Sequence, residues 1–303
     1  MQIPDLLIER SRLLKKITCW KLALFTLLAA FVYMFYSQIQ KPLSSKLQQS
    51  SYIASIKIEN EIYEDTKFDK FLDEIAEDNA IKAVIVQINS PGGTSGAAEK
   101  IYNKLLKIKK TRPVVATIGT VGASGAYLIA LAADKIYTLN MSLTGSIGVI
   151  VQMPELVDLA NKIGIKFKNY KSSDLKGLPN PMEYSSPEAD AALMAVVKDS
   201  YDYFIDLVVL NRKINKEEAK KIADGRIYSG RQAVSLKLVD AIGTVDDAIV
   251  WLKTEKKLNN NLQLQEIEPK KHNAFFDILI NKLDESSKSF MQKISSKLMS
   301  IYK

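Results

Sequence analysis

The segment GTVGASGAYLIALAADKIY, residues 119–137, places Ser124 among small residues at the expected start of a helix. A serine hydroxyl in this setting could attack a carbonyl, but it needs a nearby base that removes its proton. The chain contains a single histidine, His272, which lies near the C-terminus. A Ser-His-Asp triad would require that distant residue to fold back onto Ser124. We therefore expect no catalytic role for His272, and one histidine excludes a histidine-rich metal site.

Lysine is the remaining candidate for the base. A free lysine has a pKa of about 10.4, so only about one part in 2500 is neutral at pH 7. Burial in an apolar pocket can lower a lysine pKa by about 3–5 units, which makes a Ser-Lys dyad physically reasonable. Lys135, Lys171 and Lys176 are all near enough in sequence to Ser124, and spacing alone does not choose among them.

A glycine-rich turn, SPGGT, comes before the Ser124 segment, at residues 90–94. It follows an expected buried strand and opens an expected helix. Glycine lets the backbone approach a ligand, and exposed N–H groups can hold the negative oxygen that forms during acyl transfer. The amides of Gly93 and Gly125 are therefore candidates for an oxyanion hole. The alternative is that SPGGT forms only a tight turn.

The elements that must position these residues alternate between strands and helices. Short β-branched runs predict buried strands, and apolar residues at helical spacing predict helices. The predicted strands are SYIASIKI, IKAVIVQIN, PVVATIG, KIYTL, GSIGVIVQM and IKFKNY. The predicted helices are FDKFLDEIAED, GAAEKIYNKLLKIKK, SGAYLIALAAD, MPELVDLANKIG and residues 187–213, 216–223, 231–237 and 244–255. This pattern predicts an α/β domain with mostly parallel strands, in which Tyr203 and Phe204 are packing residues.

The net charge of +8 belongs to the two ends of the chain. Residues 1–44 carry 6 basic and 2 acidic side chains, and residues 252–303 carry 10 and 6. Residues 45–251 carry 26 of each and are neutral. This distribution argues against a nucleic-acid groove in the body and favours ends that lie near an anionic membrane surface.

The N-terminal run ITCWKLALFTLLAAFVYMFY, residues 17–36, predicts a transmembrane helix. Twenty helical residues span about 30 Å, the thickness of the hydrocarbon core of a bilayer. Four basic residues precede the run, so we expect a cytoplasmic N-terminus and a body on the far side. A cleaved signal peptide is disfavoured because no A-x-A-like site follows, and a buried core helix is disfavoured by the basic flank.

Five segments together resemble the signal peptide peptidase A family of bacterial serine-lysine peptidases. They are IKAVIVQINSPGGT, GTVGASGAYLIALAADKIY, TGSIGVIV, KSSDLKG and ADGRIYSGRQAVSLKLVD, which cover about residues 50–255 in the order of the family. The resemblance implies that Ser124 is the nucleophile, that Lys176 is the general base and that Ser146 hydrogen-bonds the lysine. Lys171 remains the alternative base.

The resemblance also implies a fold like that of crotonase and the Clp protease, with a repeated β-β-α core, and a ring-like homo-oligomer at the membrane. The expected organisation is an N-terminus and anchor at 1–40, a linker at 41–50, a peptidase domain at 51–255 and a tail at 256–303. The expected substrates are cleaved signal peptides or other short apolar peptides, and the chemistry needs no metal or cofactor. The expected location is the bacterial inner membrane, with the catalytic domain periplasmic or extracellular.

The C-terminal tail has apolar residues near helical spacing with lysines between them. This pattern predicts an amphipathic helix, which could lie on the membrane, on a neighbouring subunit or on the body. Two other functions remain open for the whole chain. A crotonase-like acyl-CoA enzyme would need no serine-lysine pair, and a catalytically inactive membrane scaffold would keep the fold without bringing Ser124 and Lys176 together.

Overall fold

The computed structural model describes residues 16–17, 20–21, 24–31 and 51–269. The chain divides into two compact units, residues 1–51 and residues 52–303. In the first unit the described residues between 16 and 31 are helical and exposed to solvent, including Trp20, Leu24 and Phe25. No helix within this described part of the chain is long and apolar enough to cross a membrane. The predicted span 17–36 includes positions that are not described, and the predicted tail helix lies outside the described residues.

The second unit is built on a sheet of eight strands. They are β1 (Tyr52–Ile62), β2 (Ile81–Gly93), β3 (Val114–Ala123), β4 (Lys135–Thr138), β5 (Leu143–Gly145), β6 (Ile227–Ser229), β7 (Ala241–Ile242) and β8 (Leu264–Glu266). The main path runs β6-β5-β3-β2-β1-β8, while β4 pairs with β3 and β7. Every pairing is parallel except that of β5 with β6. The predicted α/β fold with a mostly parallel central sheet is therefore confirmed.

Eight helices of the second unit surround this sheet in the described part of the chain. They are α1 (Thr66–Glu77), α2 (Ser95–Lys109), α3 (Gly125–Ala130), α4 (Val157–Lys162), α5 (Pro187–Arg212), α6 (Lys216–Ile222), α7 (Gly230–Ser235) and α8 (Val245–Thr254). The β2 run is buried on both faces, with Val84, Ile85 and Val86 all inaccessible to solvent. Burial on both faces explains why this strand reads as a continuous apolar run.

The end of α1 is fixed by a buried arginine. Arg112, just before β3, donates to the backbone carbonyls of Ile75, Ala76 and Asp78. The last carbonyls of a helix have no partner within the helix, and a guanidinium supplies several donors at once. This side chain therefore ties the first helix to the central strand that leads to Ser124.

The connection between β5 and α5 differs from the prediction. The strand predicted for GSIGVIVQM is wrong, because the strand ends at Gly145 and residues 146–156 form no helix or strand. The strand predicted for IKFKNY is also wrong, and the helix between them is shortened to α4. The backbone turns at Ser146, where φ is 49°, and Ile150 is 76% exposed. An apolar β-branched run forms a strand only where another strand pairs with it, and none does so here.

Candidate functional site

Ser124 occupies a sharp turn between a strand and a helix. Strand β3 ends at Ala123 and α3 begins at Gly125, and Ser124 between them has φ 52° and ψ −125°. This conformation is rare for a residue with a side chain and costs about 1–3 kcal/mol unless the surroundings hold it. The Ser124 N–H donates to the carbonyl oxygen of Gly145 over 2.9 Å. Such a strand–turn–helix arrangement exposes the hydroxyl of a nucleophilic serine, and Ser124 is half-buried rather than enclosed.

The glycine-rich turn at the end of β2 packs against the backbone of the Ser124 turn. The buried Ser90 hydroxyl accepts from the N–H of Gly92 over 3.1 Å and fixes the turn, while Gly92 has φ 110°. A Cβ on Gly92 would lie 2.9 Å from the amide nitrogen of Gly125 and from the Cβ of Ser124. A Cβ on Gly93 would lie 2.0 Å from the carbonyl oxygen of Ile62. Both contacts are too close for a side chain, so the turn requires glycine at both positions.

Gly93, Ser124 and Gly125 line one cavity of about 270 Å³. Gly125 is the first residue of α3, and an N–H in that position has no acceptor within its own helix. The structure therefore brings together three of the residues selected from the sequence. A carbonyl oxygen placed between two backbone amides beside a serine hydroxyl is the arrangement that acyl-transfer chemistry uses.

Ser146 lies close to this arrangement through the sheet. Strands β3 and β5 are parallel, and Ala123 is directly opposite Gly145. Ser124 directly follows strand β3 and Ser146 directly follows strand β5. The two serines therefore leave the sheet side by side at its carboxyl edge. Ser146 is half-buried, and its N–H donates to the carbonyl oxygen of Arg226 over 2.9 Å.

The three candidate lysines have different positions. Lys135 begins β4 opposite Val115, eight residues before Ala123 on the parallel strand β3. Ser124 is one residue further on, so at about 3.3 Å a residue Lys135 is separated from Ser124 by about 30 Å, at the opposite edge of the sheet. Lys171 forms an ion pair with Glu183 over 2.5 Å, which lowers the pKa of that carboxyl. Lys176 is exposed in a turn, where its backbone N–H donates to the backbone carbonyl oxygen of Ser173 over 3.0 Å.

No lysine or histidine lines the Ser124 cavity within the described ranges. The segment that carries Lys171 and Lys176, residues 149–186, exposes large apolar side chains to solvent. Among them Ile163 is 64% exposed and Tyr170 is 94% exposed. Several large exposed apolar side chains in one segment are typical of surfaces that pack against another molecule.

Sequence reasoning missed the opposite wall of the cavity. Glu99 lines it from α2, and Asp199 and Tyr203 line it from α5. The Tyr203 hydroxyl donates to Glu99 over 3.1 Å, and burial together with this carboxylate raises the pKa of the phenol. Asp199 and Tyr203 are four residues apart on one helix face, which the sequence shows. Nothing in the sequence shows which face of α5 meets α2.

Comparison with known proteins identifies the family. The profile of Peptidase family S49 matches residues 106–259, which is half of the chain. The chain belongs to peptidase family S49. The profile of the Clp protease family matches residues 38–155, in agreement with the parallel sheet and its surrounding helices. The resemblance identified from the motifs is therefore confirmed at the level of the family.

Three relatives illustrate the match. A protein of Enterococcus faecium described as a candidate signal peptide peptidase SppA is 38% identical over 66% of this chain. A protein of Synechocystis described as a candidate protease is 38% identical over 64% of this chain. Protease 4 of Haemophilus influenzae is 32% identical over 57% of this chain. The aligned part spans 58%, 71% and 28% of these three relatives, respectively.

Proposed function

We propose that this S49 family member is a membrane-anchored serine endopeptidase in which Ser124 is the nucleophile and Lys176 is the general base. The observation that carries the proposal is the Ser124 turn. A half-buried serine in a rare backbone conformation lies in one cavity with Gly93 and Gly125, at the start of a helix. Strained residues of this kind cluster at active sites, where the surrounding structure holds them in place.

The reaction begins when the Ser124 hydroxyl adds to the carbonyl carbon of a peptide bond and passes its proton to the neutral lysine. The carbonyl oxygen becomes negative and accepts hydrogen bonds from the N–H groups of Gly93 and Gly125. The lysine then gives its proton to the leaving amine as the C–N bond breaks, which leaves an acyl-enzyme. Water hydrolyses the ester with the lysine again as the base, and this restores the serine.

The base must reach the serine and must be neutral when it does so, and burial favours a neutral lysine. Lys176 lies in the exposed apolar segment 149–186. We propose that this segment packs over the cavity in a homo-oligomer, which buries the lysine beside Ser124 and Ser146. Lys171 is the alternative base, and it would first have to leave its ion pair with Glu183.

The proposed substrates are cleaved signal peptides or other short apolar peptides. The name of the Enterococcus faecium relative supports this class. The apolar run 17–36 would anchor the chain in the bacterial inner membrane, with the catalytic domain on the periplasmic or extracellular side. An enzyme anchored in this way meets apolar peptides at the surface of the bilayer, and the neutral charge of its body argues against a nucleic-acid groove there.

The test is hydrolysis of apolar donor–quencher peptides by the full chain in detergent. Ser124→Ala and Lys176→Ala are each expected to lower kcat by about 10⁴-fold or more, since removing one member of such a catalytic unit disables it. Lys168→Ala, in the same exposed segment, is the matched control and should retain activity. Loss of activity in Lys171→Ala but not in Lys176→Ala would move the base to Lys171. A folded oligomer that cleaves no peptide would favour the inactive scaffold, because no lysine lines the described cavity of the single chain.

A further inference from the structure

The cavity beside Ser124 has an apolar floor. Leu128 on α3 and Phe204 on α5 both line it and are almost fully buried, with 6% and 3% of their surfaces exposed. These two side chains come from two different helices. An apolar floor of this kind accepts the methylene groups of a substrate side chain.

The rim of the same cavity carries two carboxylates from facing helices. Glu99 lies one helical turn after Ser95 on α2, so both point to the cavity from one face. Asp199 lies one turn before Tyr203 on α5 and also lines the cavity. Tyr203 joins the two walls, because its hydroxyl donates to Glu99 over 3.1 Å.

Within the described residues of the single chain, these carboxylates have no positive partner. In the part of the chain that the structure describes, neither Glu99 nor Asp199 forms an ion pair, and no basic side chain lines the cavity. Lys198, the neighbour of Asp199, lines an adjoining cavity that shares Gly148 and Val149 with this one. The negative charge therefore faces the space that a substrate would enter.

We propose that this cavity is a specificity pocket for a lysine or arginine side chain of the peptide substrate, with Glu99 and Asp199 as its recognition groups. The inference rests on the proposed peptidase function and names the side chain that the enzyme selects. A lysine or arginine has a long methylene stem and a cationic head. The stem lies on Leu128 and Phe204, and the head donates to the two carboxylates.

The geometry assigns this side chain to the residue whose carbonyl is attacked. Gly93 and Gly125, which would hold the carbonyl oxygen, also line the pocket. A carbonyl that binds these amides therefore places its own side chain at the pocket entrance. A signal peptide carries basic residues next to an apolar run, so a pocket of this kind would direct cleavage to its basic end.

The test compares peptides that differ only at the residue before the cleaved bond, which is Lys, Met, Leu or Glu. Methionine is unbranched and similar in length to lysine but carries no charge. With the wild-type full chain, kcat/KM for the Lys peptide should exceed that for the Met peptide by about tenfold or more, which corresponds to about 1.4 kcal/mol. Mass spectrometry of the products confirms that the bond after the variable residue is cleaved.

The variants Glu99→Gln, Asp199→Asn and the double variant remove charge while keeping shape. The double variant should reduce the ratio of kcat/KM for the Lys peptide to that for the Met peptide to within about twofold of one. Asp202→Asn is the matched control, since it makes the same charge change on the same helix at a residue that does not line the pocket. Glu99→Lys should instead cleave the Glu peptide with a higher kcat/KM than the Lys peptide. This variant provides a second test if the double variant does not fold.

The outcomes separate this inference from the proposed function. If the wild type cleaves the Met and Leu peptides as well as the Lys peptide, the cationic pocket is refuted and the peptidase stands. The same holds if the Lys preference persists in the double variant. If the folded wild type cleaves none of the peptides, the peptidase proposal and this inference fail together.

Discussion

Replacing Gly92 with alanine perturbs the Ser124 turn while Ser124 itself keeps its side chain. The added Cβ would lie 2.9 Å from three atoms of the turn, namely the carbonyl oxygen of Ala123, the Cβ of Ser124 and the nitrogen of Gly125. Gly92 cannot move away freely, because the Ser90 hydroxyl holds its N–H and Gly93 is pressed against Ile62. The turn that carries Ser124 and the amide of Gly125 must therefore shift.

The strain at Gly92→Ala should lower both the free energy of unfolding and kcat. An alanine at φ 110° is strained, and we expect the free energy of unfolding to fall by about 1–3 kcal/mol. Losing one oxyanion donor typically lowers kcat by about 10²–10³-fold, and a misplacement of about 1 Å costs about 10²-fold. We therefore predict a decrease in kcat of about 10²-fold with little change in KM.

The assay is peptide hydrolysis at saturating substrate, together with urea unfolding of the same preparation. Gly96→Ala is the matched control, because a Cβ there meets nothing within 4 Å and the residue lies in the first turn of α2. This variant should gain about 0.4–1 kcal/mol and keep its activity. A folded Gly92→Ala enzyme with the wild-type kcat would refute the role assigned to the two neighbouring turns.

Three further predictions concern stability and its link to activity. Ser124→Gly should abolish hydrolysis and raise the free energy of unfolding, measured by urea titration, by about 1 kcal/mol, because glycine adopts positive φ without strain. Ser124→Ala should lose activity without this gain in stability. Equal stability of the two variants would contradict the strain argument. Arg112→Met should cost about 2–4 kcal/mol, since it removes a donor from three buried or partly buried carbonyls at the end of α1, and a loss under about 0.5 kcal/mol would argue against this role. Tyr127 is fully buried and donates to the carbonyl oxygen of Leu238, and burial raises the pKa of this phenol above its unfolded value of about 10. Its contribution is therefore complete below about pH 10 and is lost as the pH rises further, so Tyr127→Phe should cost about 1 kcal/mol at pH 7 and flatten the decline in stability above about pH 10.

The central part of the fold could be predicted because its signals are local. The continuous apolar runs of β2 and β3 and the helical spacing in α1 and α2 record how each element is buried. The short strand β8 carried no such signal. It has three residues, and it joins the sheet only because Leu264–Glu266 pair with Ile53–Ser55, about 200 positions earlier in the chain. Pairing over such a distance is invisible to periodicity.

The candidate site also has a part that could be predicted from the sequence and a part that could not. Ser124, Gly93 and Gly125 could be selected because small residues between a strand and a helix have a local cause. The facing pair of Glu99 and Asp199 could not, since the two residues are brought together only by the packing of α5 over the cavity. The position of Lys176 also depends on more than its own segment, because residues 149–186 expose the apolar side chains that would have to be buried before a lysine could act there.

The most direct test of the central claim is the identification of the acylated residue. The full chain in detergent is mixed with the p-nitrophenyl ester of an N-acylated lysine, quenched in acid within one turnover and digested for mass spectrometry. We predict one acyl group, attached to Ser124, that is absent in Ser124→Ala and forms much more slowly in Lys176→Ala. An acyl group on another residue, or undiminished acylation of the Ser124→Ala protein, would contradict the assignment of Ser124 as the nucleophile.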